Sequence, residues 1–498
     1  MSKRTDPPGG LGSLASAALT AGSTLLVAGF AAIVGVLIAR EFGRTDETDG
    51  FFAAYGVFFV VVLAAQAIRI AVLPALARSR AEWRLAGEIA GFAVAIAIVA
   101  VPLLLLAELA ADPFASLLTG GESDVAQEAA VDALRWMVPA AVAHLFAGLA
   151  ASGLAALDDY ATAAFGYAAG SAAGLALMLA RVEPDGIVAV GWGMMLNGTI
   201  ALLVPVAGLA WRARTTRMPR TAVRPTGKPL VSRLGVFATA ASLPIALQLL
   251  YVVCLPFAGR LGSGSVTSFG YAYLAAASLV SVTAVSLGLV TSVPLARSGL
   301  SPELAARHVV SASWVALAFI GAAAGVFALA GADVVEAFLG DAYGGDVGAE
   351  VGRLVVVLAP WMIVSVGVNV AFPLAFVVER LRALPLIAVV ALGIHVLLAW
   401  IAVALADLDG LAVALAVSTA FVLAALLVEL QALSPASRGL ASAAAVIALL
   451  SLIGFLPAAL LLGSLAAATA GLLTYVVLVA LVRPRGLRTS WAYLRALR

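Results

Sequence analysis

The chain has 498 residues, of which 63% are hydrophobic and 11% charged, with a formal net charge of +2. Soluble domains carry about 45–50% apolar and about 25% charged residues. A water-facing surface is therefore excluded, and so is disorder, which needs low hydrophobicity and high charge. One cysteine, Cys254, and three histidines rule out a disulfide framework and leave little stock for a metal site. A charge so close to zero gives no reason to expect a nucleic-acid partner. Lysine is confined to Lys3 and Lys228 while Arg, Ala, Gly and Val abound, the codon bias of a GC-rich bacterial genome. What remains is an all-α polytopic membrane protein.

A helix needs about 20 apolar residues to cross about 30 Å of hydrocarbon. After a short polar tail, 1–12, the first such run is 13–39, too long for the core of a cleaved signal peptide and so a retained span. Five more follow at 49–77, 86–110, 129–153, 160–180 and 186–210, giving an N-lobe over 13–210. A basic linker, 211–231, leads to 232–257, 267–296, 306–331, 350–378, 383–406 and 408–430, a C-lobe of six spans over 232–430. Two further spans, 440–461 and 463–482, fill 431–482, and a basic tail occupies 483–498. The sequence thus predicts about 14 spans. The runs are continuous and Ala/Leu-rich where β-barrel strands would alternate. No loop is long enough to hold a soluble domain.

Basic residues set the orientation. With the N-terminus in the cytoplasm, about 22 of the 29 Lys and Arg fall on inside segments, and both termini are inside. One inner loop dissents, because Asp158 and Asp159 have no basic neighbour in sequence.

The halves also resemble each other at a shift of about 220 residues. Gly43-Arg44 before Phe51-Phe52-Ala53-Ala54-Tyr55 parallels Gly259-Arg260 before Phe269-Gly270-Tyr271-Ala272-Tyr273. Leu73-Pro74-Ala75-Leu76-Ala77-Arg78 parallels Val293-Pro294-Leu295-Ala296-Arg297, and Asp112 to Gly120 parallels Asp333 to Gly340. Pro139 matches Pro360, and Asp185-Gly186 matches Asp409-Gly410. Six spans separate equivalent points, and an even number keeps the orientation. The lobes are therefore expected as parallel repeats about an axis along the membrane normal.

Ala39-Arg40-Glu41-Phe42-Gly43 followed by Thr48-Asp49-Gly50-Phe51-Phe52-Ala53-Ala54-Tyr55 is similar to the A-R-x-F-G…T-D-A-F-F-x-A-F of the MurJ/MviN lipid II flippases, in the MOP exporter superfamily. Leu73-Pro74-Ala75-Leu76 resembles the family's V-P-x-L at the end of span 2. With the six-plus-six repeat and two added helices, the resemblance covers nearly the whole chain. It implies two lobes rocking about a central cleft, and a lipid-linked saccharide as the transported partner. It also implies residence in the bacterial inner membrane, contact with membrane lipid and with cell-wall synthesis enzymes, and no cofactor. The family's first-span S-R-x-x-G-x-x-R-D reads Val27, Ala28, Ala31, Val34 and Gly35 here, so both arginines and the aspartate are gone, and its paired arginines in span 2 fall at Val62 and Leu63. Its Tyr-Tyr-Ala-Asp-Arg reads Gly270, Tyr271, Ala272, Tyr273, Leu274. Most of the cationic cavity is gone.

A charged side chain within hydrocarbon is costly and is a functional candidate. Arg69 stands out as the basic residue deepest in a span, with Gln66 one turn away on the same face. It serves either as the counter-charge of an anionic headgroup or as a snorkel to the lipid phosphates. Gln248 lies mid-span in the helix equivalent to span 1. Asp49 either pairs with Arg40 or Arg44 or caps span 2. Tyr271 and Tyr273 are repeat equivalents of the Tyr55 region. These six are the candidate substrate residues. Arg135 pairs with Asp132 at an interface, His144 and His395 are mid-span packing residues with a proton relay as the alternative, and Asn197 and Asn369 are expected to hydrogen-bond between helices or to line a path.

No G-x-x-x-x-G-K-[ST] loop, H-E-x-x-H or Ser/His/Asp set is present, so neither nucleotide hydrolysis, a metal nor an enzyme is expected. The sequence points to a flippase for lipid II or a related polyprenyl-linked saccharide. The alternatives are export of another amphipathic substrate, or a divergent paralogue that no longer transports and partners cell-wall enzymes.

Overall fold

The computed structural model describes residues 13–81, 84–121, 123–215, 229–285, 301–378 and 381–496. Lys3 and Arg4, the 216–228 stretch of the basic linker with Lys228, Val293 to Arg297, Arg380 and Arg498 lie outside the described residues. Within them the regular structure is helical throughout.

The helices are α1 (Ser13–Phe42), α2 (Asp46–Ala81), α3 (Leu85–Leu109), α4 (Ala111–Thr119), α5 (Asp124–Ala156), α6 (Tyr160–Asp185), α7 (Val188–Thr215), α8 (Leu230–Gly259) and α9 (Ser265–Val280), the last extended by a π turn. After them come α10 (Pro302–Leu339), α11 (Gly345–Val357), α12 (Ala359–Val377), α13 (Leu384–Glu429), α14 (Leu433–Leu461), α15 (Ser464–Val482) and α16 (Arg485–Ala496). Among the described residues eleven helices are long and apolar enough to cross a membrane, or twelve with the pair α11–α12, bent by 44° just before Pro360. The 46-residue α13 carries two expected spans joined at a break, where Ala406 (φ −153°) and Asp407 (φ 48°) leave the helical region. With α13 taken as two and the 30-residue α1 added, the described part of each expected stretch lies on helix, residues 286–296 of the stretch 267–296 lying outside the described residues. This is a multi-pass membrane protein.

Three segments carry structure beyond the expected spans. The stretch 111–128 holds α4. Span 10 is two helices, since proline at the second position of α12 suits a helix start and not a helix interior. The tail 483–498 holds α16. On that helix Tyr493 is buried, and its hydroxyl lies 3.2 Å from His308 Nδ1 while the Arg307 guanidinium covers its ring at 5.3 Å.

The repeat is written in the backbone as well. Ala110, between α3 and α4, has φ −130° and ψ 29°; Ala330, inside α10, has φ −128° and ψ 25°. Gly120 (φ 82°) and Gly340 (φ 94°) then end the short helical segment that follows in each half. Both pairs are 220 residues apart.

By packing, the chain forms two units, Met1–Phe42 with Asp46–Gln248, and Gly43–Thr45 with Leu249–Arg498. The division runs through α8 and not through the 211–231 linker. The first half of α8 is fastened to α3 by Arg233 and Phe237, described below.

In the first unit α2 lies against α5, whose buried face runs almost its whole length. Gly50 makes this possible, because a Cβ there would collide with the Ala126 carbonyl. Ser123 caps α5 by accepting from the Ala126 N–H at 3.2 Å, and its own hydroxyl donates to Asp46 at 2.8 Å. At the other end of α5, Asp158 and Asp159 do find cations. Arg80 of α2 reaches Asp158 at 2.6 Å, and Arg212 of α7 reaches Asp159 at 2.9 Å. The partners are 78 and 53 residues away, so local sequence does not reveal them.

Asp159 also caps α6, accepting from the Thr162 N–H at 3.1 Å. Burial works to raise its pKa, but the Thr162 bonds and the Arg212 guanidinium outweigh it and hold the carboxyl below the ordinary carboxylate range. A depressed folded-state pKa contributes stability that is present above the unfolded value, about pH 4, and is lost as pH falls through the folded one. Thermal unfolding in detergent should therefore show wild type more stable than Asp159→Asn at neutral pH. The gap should close in acid below the folded pKa. A gap independent of pH would mean that the carboxylate contributes nothing through its charge.

In the second unit α14 and α15 pack on α10. Tyr475 donates to the Ala318 carbonyl at 2.8 Å, and Ser451 to the Gly321 carbonyl at 3.1 Å. Both acceptors are i−4 carbonyls of a helix and stay helical while gaining a second bond.

Candidate functional site

The candidate residues fall into separate neighbourhoods. Asp49 is buried in the first turn of α2, with Asp46 and Glu47, where carboxylates favour the helix dipole. It does not cap α2, which begins at Asp46. Arg44 is engaged elsewhere, with Glu350 at 3.0 Å and the Gly264 carbonyl at 2.9 Å. Arg69 is twenty residues further on, about 30 Å along the helix axis. Asp49 and Arg69 are therefore two sites, and Asp49 belongs to the packing of α2.

From Asp49 toward Arg69 the α2 face is aromatic. Tyr55 stacks on Phe51, Phe58 and Phe59 with centroids 5.8–6.2 Å apart. Phe58 meets the edge of the buried His144 of α5 at 6.1 Å, and His144 stacks on Tyr167 of α6 at 6.2 Å. Arg69 lies close enough to Tyr167 for its charge to act on the phenol. Its side chain is half-buried, and no carboxylate among the described residues pairs with it. Arg80, whose guanidinium marks the end of the helix pair, is about 16 Å further along α2. Arg69 thus makes no ion pair among the described residues, well inside the span. Gln66, on the same side of α2, is exposed.

A second basic residue of the first unit, Arg233 in the first turn of α8, is more buried than Arg69. Arg233 is 6% exposed and Glu88 1%, and their charged groups meet at 2.9 Å. The guanidinium lies over Phe92 at 5.7 Å, Phe92 packs on Phe237 at 5.5 Å, and a Cβ on Gly91 would strike the guanidinium. This pair is spent on itself and on joining α8 to α3. The available signals were an acidic residue in the first turn of α3 and a basic one already inside the apolar run of α8.

Elsewhere in the first unit, a cavity of about 270 Å³ is lined by Glu47, Glu128, Asp132 and Asp185. Four carboxylates make it unsuitable for an anion. Arg135 pairs loosely with Asp132 at 3.9 Å, both half-exposed, as expected of an interface. Asn369 does not bridge helices; it donates to the Ser365 carbonyl of its own turn at 2.8 Å.

Gln248 is buried at the middle of α8. Tyr271 and Tyr273 are buried inside the second unit. Tyr271 meets Tyr343 edge-on at 5.4 Å, and Tyr343 donates to the Gly43 carbonyl at 2.9 Å. Tyr273 stacks on Tyr251 at 4.0 Å and leans on Trp361 at 5.0 Å. These tyrosines hold α9 against α8 and α12 and pin the Gly43–Thr45 turn. An apolar groove of about 360 Å³ along α10 and α14 has no group that could hold a charge. Among the candidates, Arg69 with Tyr167 is the one arrangement suited to an anionic ligand.

No protein-family model and no curated protein matches the sequence. Solved structures do. The chain is similar to the lipid II flippase MurJ in an inward closed conformation, with a TM-score of 0.73 at 16% identity over 94% of this chain and 99% of that one. An inward-facing multidrug resistance MATE family transporter of the MOP superfamily gives 0.58 at 15% identity, over 83% and 98% of the two chains. A MOP superfamily transporter from Pyrococcus furiosus gives 0.54 at 15%, over 87% and 96%. The chain shares its fold with these solved transporters. Its likeness to the lipid II flippase is higher than to these MATE and MOP transporters, as the A-R-E-F-G…T-D-G-F-F resemblance implies.

Proposed function

We propose that the chain is a MOP-type transporter that moves a lipid-linked glycan precursor, lipid II or a related polyprenyl-linked saccharide, across the bacterial inner membrane by alternating access. The observation that carries this reading is a flippase-like fold over nearly the whole chain, combined with Arg69 inside a span, where it makes no ion pair among the described residues. The headgroup pyrophosphate would meet Arg69 and the Tyr167 hydroxyl while the lipid tail stays in the bilayer. Both termini are placed in the cytoplasm by the basic-residue pattern.

Complementation of a strain depleted of its lipid II flippase tests the function. Growth rescue is the expected result, and no rescue by a well-expressed protein would overturn it. One feature favours a second reading, a non-transporting partner of cell-wall enzymes: Val62, Leu63 and the apolar first span stand where the family carries cations. For the topology, a reporter fused after Arg498 should be active in its cytoplasmic form. Activity confined to the outside would remove the fourteen-span arrangement.

A further inference from the structure

The helix α16 spends one face on α10 and leaves a basic face exposed. Gly486, Ser490 and Tyr493 share one side of the helix, and Ser490 and Tyr493 are buried. A Cβ on Gly486 would strike the Trp314 indole, while the Tyr493 hydroxyl lies 3.2 Å from His308 Nδ1. α16 therefore runs back along α10, from Trp314 toward the start of that helix. Arg485, Arg488 and Ala492 fall on the other side of α16 and are exposed.

Three more guanidiniums border that face. Arg483, exposed, is the residue at which a left-handed φ of 42° turns the chain out of α15 and into α16. Arg307 is exposed and covers the Tyr493 ring at 5.3 Å. Arg438 of α14 is exposed beside Gly439, where a Cβ would strike Val310, one turn on from Arg307. None of these five arginines forms an ion pair among the described residues. No acidic residue follows Glu429 in the chain, and α10 offers Glu303 alone in its first turn. Like charges gathered in this way repel one another, and the packing beneath holds them together, so the surface is complementary to an anion.

Depth selects the anion. α15 ends on Leu481 and Val482, both exposed apolar side chains, and Arg483 and Arg485 follow at once. α16 lies beside residues 308–314 of α10, a helix whose apolar run starts near 306. The basic face thus stands where α10 and α15 leave the hydrocarbon, at the level of lipid phosphates. A zwitterionic headgroup brings its own cation to such a surface, whereas an anionic one leaves its charge free to be matched.

We propose that Arg483, Arg485 and Arg488, with Arg307 and Arg438, form a binding surface for anionic phospholipid headgroups. The leaflet follows from the proposed orientation and is the cytoplasmic one. The surface is separate from the path through Arg69 and does not depend on what the chain transports. Because Tyr493 and Gly486 seat α16 on α10, the guanidiniums are presented at a fixed spacing, and a headgroup meets several at once.

Cys254 is the one cysteine of the chain, so Cys254→Ser with Ala492→Cys places a single bimane label on the exposed side of α16. The labelled full chain is held in phosphatidylcholine nanodiscs. These are doped, at one mole fraction, with phosphatidylglycerol or phosphatidylcholine carrying a spin label near the top of an acyl chain. The phosphatidylglycerol probe should quench about threefold more strongly at low salt, and the excess should shrink at high salt. Equal quenching by the two probes would overturn the proposal and leave the face to an acidic protein partner. Arg483→Gln, Arg485→Gln and Arg488→Gln together should remove the excess while leaving thermal unfolding unchanged, since all three side chains are exposed. An excess that survives the triple variant would also overturn the proposal. Tyr493→Ala keeps every arginine but unseats α16 from α10, and it should lower the excess. An excess as large as in wild type would show that loose basic residues suffice, and the docked surface would be refuted.

Discussion

Arg69→Ala is expected to abolish complementation while leaving the amount of folded protein unchanged, and Arg69→Lys to restore growth in part. The first half of the expectation follows from what surrounds the side chain. Arg69 makes no ion pair among the described residues, so truncation strands no buried carboxylate and stability should hold. The second half follows from chemistry. A pyrophosphate entering a low-dielectric path needs a counter-charge, and an anion without one is costly to desolvate. Lys keeps the charge but loses the bidentate fork that matches phosphate oxygens. Tyr167→Phe should weaken activity less than Arg69→Ala, since it removes one hydroxyl and no charge. If Arg69 merely reaches for lipid phosphates, both Arg69 variants will grow like wild type, and the non-transporting reading gains.

The spans were legible because hydrocarbon imposes a length and a composition that survive without any alignment. The repeat was legible for a similar reason. Turn residues such as Gly120 and Gly340 recur because the backbone there takes φ values that glycine adopts at no cost. The matching breaks at Ala110 and Ala330 were not legible. Alanine carries no mark of a non-helical φ/ψ.

Charge pairing was the least legible feature. Arg44 and Glu350 are 306 residues apart, and Arg233 and Glu88 are 145 apart. Hydropathy reads Arg233 as the last charge of a basic linker and Glu88 as a polar end of a span. Only the fold brings them face to face and closes aromatic rings over them. The same distance effect takes Arg44, which the sequence offers to Asp49 beside Arg40 and a capping role, to Glu350 of α11 instead. It also hid the cations that neutralise Asp158 and Asp159. Composition and periodicity thus located the candidate cation in α2 but could not say which cations were already neutralised, and that decides which one is left for a ligand.

Glu88→Ala should cost about 3–5 kcal/mol in reversible unfolding, the range for breaking a buried ion pair from one side. Arg233 is nearly solvent-free, its guanidinium lies under Phe92, and Gly91 leaves it no room to swing away from α3. Removing the carboxylate leaves a buried charge whose desolvation is no longer compensated, and α8 should loosen from the first unit. Arg233→Met alone should be comparably harmful, because it removes the guanidinium that meets the buried Glu88 carboxylate at 2.9 Å. The double variant Glu88→Leu with Arg233→Met removes both charges and fills much of the same volume. It should recover most of the loss, since a buried pair replaced by apolar groups is often neutral in stability. The coupling in this double-mutant cycle separates an ion pair from two independent packing defects. Additive losses, with the double variant the least stable of all, would show that the pair is not what fastens α8 to α3.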